Sequence, residues 1–298
     1  MNDKHEQQQT KTSANFRHLN TDTLRAENCL NDDVLPEEER RQLEIYAQQN
    51  WDKFYNINKS NFFKDRHWLT REFPQLLSGS ESERKCLMEI GCGTGSTIYP
   101  LVKSNPFLFC HAFDFSKHAV TLVHTHKRYR PDRVNGFVWD ISKAPIPLSM
   151  GVKPESVDLI TSIFVLSALA PENLLPSAIR LNHVLKMGGQ VLFRDYAAGD
   201  HAQLRFGTQH KLGDNYHKRS DGTLSKFFTE EELEGIFREA GFECSDMKRS
   251  EKLIENRASG VSMDRSWLQA VFTFASSCFI LSERNGPFLF HKKSKKHS

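Results

Sequence analysis

Residues 87–96 read Leu87-Met-Glu-Ile-Gly91-Cys-Gly93-Thr-Gly95-Ser, a short apolar run that breaks into three alternating glycines. The run from Cys86 to Ile90 has the length of a buried strand. The glycines let the backbone turn sharply and approach a ligand closely, and a helix should follow. A dinucleotide loop also uses glycine here, but it wants its third glycine at position 96, which is Ser96. It also prefers an apolar residue where Glu89 stands. The bland alternative is a tight turn with no ligand, because short motifs recur by chance.

Beyond the loop, strand and helix signals alternate. Leu108 to Phe113, Gly136 to Trp139, Val157 to Leu166, Gln190 to Phe193 and Trp267 to Phe274 are strand candidates. The apolar run from Val157 suits a central parallel strand covered on both faces. Thr229-Glu-Glu-Glu-Leu caps and opens a helix that Gly241 stops. This alternation predicts an α/β fold with a doubly wound sheet. Upstream, Pro36 followed by acids starts a helix expected to reach Tyr55. Residues 1–35 are polar and read as a mobile tail.

Two acids sit where such a fold needs them. Asp114 ends the second strand, in Ala-Phe-Asp-Phe-Ser, and can accept from both hydroxyls of a ribose. Asp140 ends the third, in Phe-Val-Trp-Asp-Ile, and can meet the exocyclic amine of adenine with Ile141 against the ring. Strand ends on one sheet edge share one crevice, so these residues converge without being neighbours in sequence. Taken singly, Asp114 reads equally as a helix N-cap and Asp140 as a turn residue. Ile163 ends the fourth strand, where it can serve the core and a cofactor together.

The 298 residues are 38% hydrophobic and 26% charged, enough for one sizeable α/β domain with additions. A net charge of +3 is too mild to identify a nucleic-acid partner, though a local basic face is compatible with it. The six cysteines form no CxxC pair or zinc pattern, so no metal is expected. No apolar run approaches the ~20 residues that span a bilayer, and the N-terminus lacks a secretory apolar stretch. No membrane association is expected, and the expected compartment is the cytoplasm, with the nucleus as alternative.

These motifs together resemble the cofactor motifs of class I methyltransferases. Three further stretches narrow the resemblance: Asn50-Trp-Asp-Lys-Phe-Tyr, Asn61-Phe-Phe-Lys-Asp-Arg-His-Trp-Leu-Thr-Arg-Glu-Phe, and Leu192-Phe-Arg-Asp-Tyr followed by Asp200-His-Ala-Gln-Leu-Arg-Phe. With Arg219-Ser-Asp-Gly-Thr and Arg265-Ser-Trp-Leu-Gln-Ala, they are similar to the methyltransferase-like enzymes that form N3-methylcytidine in tRNA. The resemblance covers roughly residues 40–274.

It implies a Rossmann-like, seven-stranded, mostly parallel sheet with helices on both faces. It also implies an N-terminal lid and tRNA-contacting segment over 36–84, a methyltransferase domain over 85–274 and an atypical tail over 275–298. S-adenosyl-L-methionine would be held by Trp51, Tyr55, Gly91, Gly93, Asp114, Asp140, Ile141 and Ile163. The target would be cytidine 32 of the anticodon loop in serine, threonine or arginine tRNAs, with seryl-tRNA synthetase or another protein as a partner.

Neutral cytosine N3 carries an in-plane lone pair and needs no deprotonation, so alignment and electrostatics outweigh a strong base. Asp195 is the candidate catalytic residue, accepting from the cytosine N4 amine; its bland alternative is a loop-holding pair with Arg194. Lys64, Arg66, Arg194, Arg205 and Arg219 are the candidate RNA-binding cations. Phe62, Phe63, Trp68, Tyr196, Phe206 and Tyr216 are candidates to stack on bases. The competing readings are a methyltransferase for a small molecule or protein, and an RNA-binding subunit without activity.

Overall fold

A computed structural model describes residues 17–18, 34–256 and 261–275. The main sheet is built from β2 (Lys85–Ile90), β3 (Leu108–Asp114), β4 (Val134–Val138), β5 (Val157–Ile163), β6 (Leu185–Tyr196), β10 (Phe242–Asn256) and β11 (Val261–Phe274). Their spatial order is β10-β11-β6-β5-β2-β3-β4. The pairs from β4 through to β6 are parallel, whereas β11 runs antiparallel to both β6 and β10. These seven strands are the expected mostly parallel set, and a two-residue strand, Arg17–His18, brings the sheet to eight. From β2 the chain moves outward to β3 and β4, then returns to the other side of β2 as β5. The crevice beyond the carboxyl ends of β2 and β5 is therefore the topological switch point where open α/β sheets bind ligands.

Helices α1 (Glu37–Ile45), α2 (Ala47–Asn58), α3 (Ile98–Ser104), α4 (Lys117–His124), α5 (Pro171–Asn182) and α6 (Glu230–Glu239) complete the frame. Two apolar clusters of the core share the sheet. One holds Ile90, Ile160, Val191, Phe193 and Phe272, and the other Leu87, Leu159, Ile163, Leu192 and Val271. The alternation of neighbours such as Leu159 and Ile160 between clusters is the period of a strand buried on both faces. Thr229 caps α6 by accepting from the Glu232 amide, and Gly241 closes it at φ +90°.

Several boundaries differ from the sequence reading. The helix from Pro36 breaks at Tyr46 and resumes to Asn58. The fifth strand stops at Ile163 because Phe164 takes φ +60°, which no strand continues. A small sheet of β7 (Lys211–Gly213), β8 (Tyr216–Lys218) and β9 (Leu224–Lys226) was not foreseen, nor was the long strand β10. Within the segment read as a mobile tail, Arg17–His18 forms a short strand, β1, parallel to Val261–Ser262 of β11. The tail from Ser276 onward lies outside the described residues.

Candidate active site

The three glycines of the loop after β2 all have positive φ: +56° at Gly91, +52° at Gly93 and +84° at Gly95. A methyl group on Gly91 would fall 2.7 Å from both Val165 methyls, and one on Gly93 2.9 Å from the Tyr55 hydroxyl. On Gly95 it would strike the Tyr99 ring. Conformation and space both exclude a side chain, so the backbone itself forms a cradle.

Beside the cradle lies a cleft at the carboxyl ends of the strands. Trp51, Tyr55, Gly91, Asp114, Asp140 and Ile141 line it, six of the eight residues singled out for the cofactor. Gly93 is not in the wall but gives its amide to Asp114 Oδ2 at 2.9 Å. Ile163 is the departure: it is 1% exposed and turned into the core. The wall takes Phe164 and Val165 instead, since the positive φ at Phe164 swings the chain out of the strand at its end.

Asp114 does not cap the following helix. Ser116 does so, accepting from the Ala119 amide, while Asp114 Oδ1 accepts from the Ser116 amide at 2.9 Å. Burial raises Asp114 to about 6 against the pull of these amides. Asp140 lies two residues past β4 and serves as a turn residue too: Oδ1 accepts from the Ser142 amide and hydroxyl. Glu89 is 1% exposed, its Oε2 has no partner among the described residues, and burial raises it to about 8. Its counter-charge is Arg66, 3.8 Å away.

At the end of β6, Asp195 is fully buried, with Oδ2 accepting from the Ser167 amide and Oδ1 from the Tyr196 amide, each at 2.9 Å. Burial raises it to about 6. It is not paired with Arg194, because consecutive side chains on a strand leave opposite faces. Arg194 instead lies between the Trp68 and Trp267 rings, at 4.7 and 5.1 Å, and donates to Gln269 at 2.9 Å. Arg66 is likewise drawn inward: it is 13% exposed, donates to the Thr97 hydroxyl and lies 5.7 Å over the Phe164 ring. Both arginines thus depart from the expected outward-facing phosphate contact. Lys64 and Arg205 are exposed, and Arg219 is half-buried over the Tyr196 ring at 5.5 Å.

Arg265, which had no assigned role, approaches the Tyr196 ring at 5.7 Å. Its Nε is held at 2.9 Å by the fully buried Asp200, which also receives the Ser266 amide. No local pattern announces this contact, because β11 brings residue 265 beside β6 from far along the chain. Of the proposed stacking residues, Tyr216 is core, at 0% exposure, whereas Phe62 is 58% exposed.

A family model described as a methyltransferase domain matches residues 62–246. The tRNA N(3)-cytidine methyltransferase METTL6 of Mus musculus is 44% identical over 235 residues, spanning 78% of this chain and 83% of its own length. This chain belongs to the tRNA N3-cytidine methyltransferase family. A second member, the tRNA(Thr) (cytosine(32)-N(3))-methyltransferase of Saccharomyces cerevisiae, is 40% identical, over 80% of this chain and 38% of its own. A SAM-dependent methyltransferase from Anabaena variabilis shares the fold, with a TM-score of 0.58 at 16% identity over 76% of this chain and 94% of its own. The class I S-adenosylmethionine-dependent architecture is therefore that of the family. The family uses a sulfonium nucleoside, and the cleft's residues are compatible with one: a cradle without Cβ atoms, and carboxylates at the end of β3 and just past β4.

Proposed function

We propose that this protein transfers the methyl group of S-adenosylmethionine to N3 of cytidine 32 in the anticodon loop of tRNA. The observation that carries the substrate side is Asp195, a fully buried carboxylate at the mouth of β6, fixed by two backbone amides. The Ser167 side chain also bonds this carboxylate, and the lone pairs left over can accept a further donor. A cytosine N4 amine is such a donor, and an acceptor there orients N3 and steadies the cation that forms as N3 gains its methyl group. No proton leaves before the N–C bond forms, so Asp195 acts by orientation and charge, not as a base.

The bound cofactor supplies an electrophilic methyl group on a cationic sulfur, whose departing C–S electron pair neutralises it. Asp114 would accept from its ribose, Asp140 and Ile141 would hold the adenine, and the Gly91 and Gly93 backbone would approach the amino-acid arm. Trp51 and Tyr55, from α2, cover the cleft as a lid. That helix is tied down by Asn50 to the Gly222 carbonyl at 2.9 Å and by Asp52 accepting from the Ser116 hydroxyl at 2.6 Å. Tyr196, flanked by Arg219 and Arg265, would stack on an unpaired base while the guanidiniums meet its phosphates.

Serine, threonine and arginine tRNAs are the proposed substrates, met in the cytoplasm or nucleus, with seryl-tRNA synthetase as the proposed partner. Purified protein incubated with tRNA pools, with and without the synthetase, should produce N3-methylcytidine by mass spectrometry. Unmodified tRNA in both incubations removes this reading.

A further inference from the structure

The ten residues from His124 to Arg133, His-Thr-His-Lys-Arg-Tyr-Arg-Pro-Asp-Arg, carry four cations and one acid. Their net charge of +3 equals that of the whole chain. The segment links α4 to β4 and, with Lys103 at the end of α3, walls a groove floored by Tyr99 and Val102. The floor is rigid: the Tyr99 ring stacks on His126 at 3.8 Å, and its hydroxyl donates to the Val123 carbonyl. Arg133 fastens the wall, donating to the Leu108 and Asn105 carbonyls, each at 2.9 Å.

The remaining cations, Lys103, Lys127, Arg128 and Arg130, are exposed. Two of them have acidic neighbours that hold them loosely. Arg128 is 3.3 Å from Asp65 and Arg130 2.8 Å from Asp132, in exposed pairs of the kind that adds little stability and that a polyanion readily exchanges. The groove and the cleft share no wall residue, but the chain around Asp65 and helix α3 connect them. Asp65 directly precedes Arg66, and the Arg66 amide donates to the Ser96 carbonyl just before α3. The seven residues of α3 span roughly 10 Å, so cleft and groove lie within reach of one RNA stem.

We propose that this groove is a second RNA-docking surface, seating the ribose-phosphate backbone of a tRNA stem while the target base enters the cleft. It rests on tRNA being the substrate. A rigid floor bearing exposed cations suits phosphates, which fix position without reading sequence.

The test is the combined variant Lys103→Gln, Lys127→Gln, Arg130→Gln, which leaves Arg133 and the cleft intact. Three lost phosphate contacts lower the slope of log affinity against log salt by roughly 2 to 3. Between 50 and 200 mM salt, wild-type affinity for tRNA should then fall roughly 20- to 40-fold more than the variant's. The Michaelis constant for tRNA should rise at low salt, with turnover at saturating tRNA and S-adenosylhomocysteine affinity unchanged. Equal slopes and equal Michaelis constants, in a wild type that methylates tRNA, overturn the proposal and leave the groove to an acidic protein surface. A wild type that binds with the steeper slope but forms no N3-methylcytidine supports the groove and removes the reading of the cleft instead.

Discussion

Replacing Glu89 by glutamine should make the protein more stable and its cofactor binding worse. Burial lifts this carboxyl from the ordinary 4.5 to about 8, even with Arg66 3.8 Å away. The folded chain therefore keeps a proton that the unfolded chain releases. Stability from this group is complete below pH 4.5 and is lost as pH rises through 8. At pH 7 the gap to the unfolded value is about 2.5 units, which at ~1.4 kcal/mol per unit costs the wild type roughly 3 kcal/mol. Glu89→Gln escapes that cost, because an amide fills the same volume and stays neutral. For a domain of this size, the gain corresponds to roughly 6–12 °C in Tm. The assay is thermal unfolding of both proteins from pH 5 to 8.5, with calorimetric titration of S-adenosylhomocysteine alongside. The two Tm curves should nearly meet at pH 5 and diverge towards pH 8, while the variant binds more weakly and loses the wild type's tighter binding at high pH. Parallel Tm curves, or a variant less stable at pH 7, would refute the reasoning, because Glu89 would then be ionised and well compensated in the folded state.

Gly91→Ala places a methyl 2.7 Å from Val165 at φ +56° and should abolish detectable S-adenosylhomocysteine binding. Adding Val165→Ala should restore only part of it, since the space returns but the left-handed backbone still costs about 1–2 kcal/mol. Asp195 is needed as a carboxylate, so single-turnover methylation should fall as pH drops through about 6, and Asp195→Asn should lower the rate at pH 7.5 at least 100-fold and flatten that limb. An Asn variant of near-normal rate would remove Asp195 from the chemistry. Arg194→Ala should lower stability by about 1–3 kcal/mol in chemical unfolding, because Trp68 and Trp267 lose the guanidinium between them.

What could be read from the sequence was whatever is fixed by neighbours along the chain. The loop from Gly91 to Gly95, the cap at Thr229 and the stop at Gly241 are local geometry, and local residues announce them. The acids at the ends of β3 and β4 were legible because parallel strands deliver their carboxyl ends to one edge. What failed depended on faces and on distance. Arg66 and Arg194 look from their surroundings like outward phosphate contacts, and only the packing of Phe164, Trp68 and Trp267 shows them drawn inward. Ile163 and Phe164 differ by one position, and a single positive φ decides which reaches the cleft. Strand β10 escaped notice because its stretch from Ser245 to Glu251, polar but for Met247, lacks the apolar signal of a buried strand.

The unfavourable contributions in this molecule converge on one edge of the sheet. Glu89, Asp114 and Asp195 are carboxyl groups that burial pushes upward by two units or more, and Phe164 holds a strained φ among them. None of these helps an empty cleft fold, and each is matched to a charge that arrives or develops there. A cationic sulfur, whose charge passes to the ring on methylation, would favour the ionised form of Glu89 and reinforce those of Asp114 and Asp195. The same groups that weaken the free protein would therefore tighten it when donor and base are both present. On this logic a single positive charge is served throughout the transfer, arriving on sulfur and passing to the base, and the same buried carboxylates face it at both stages.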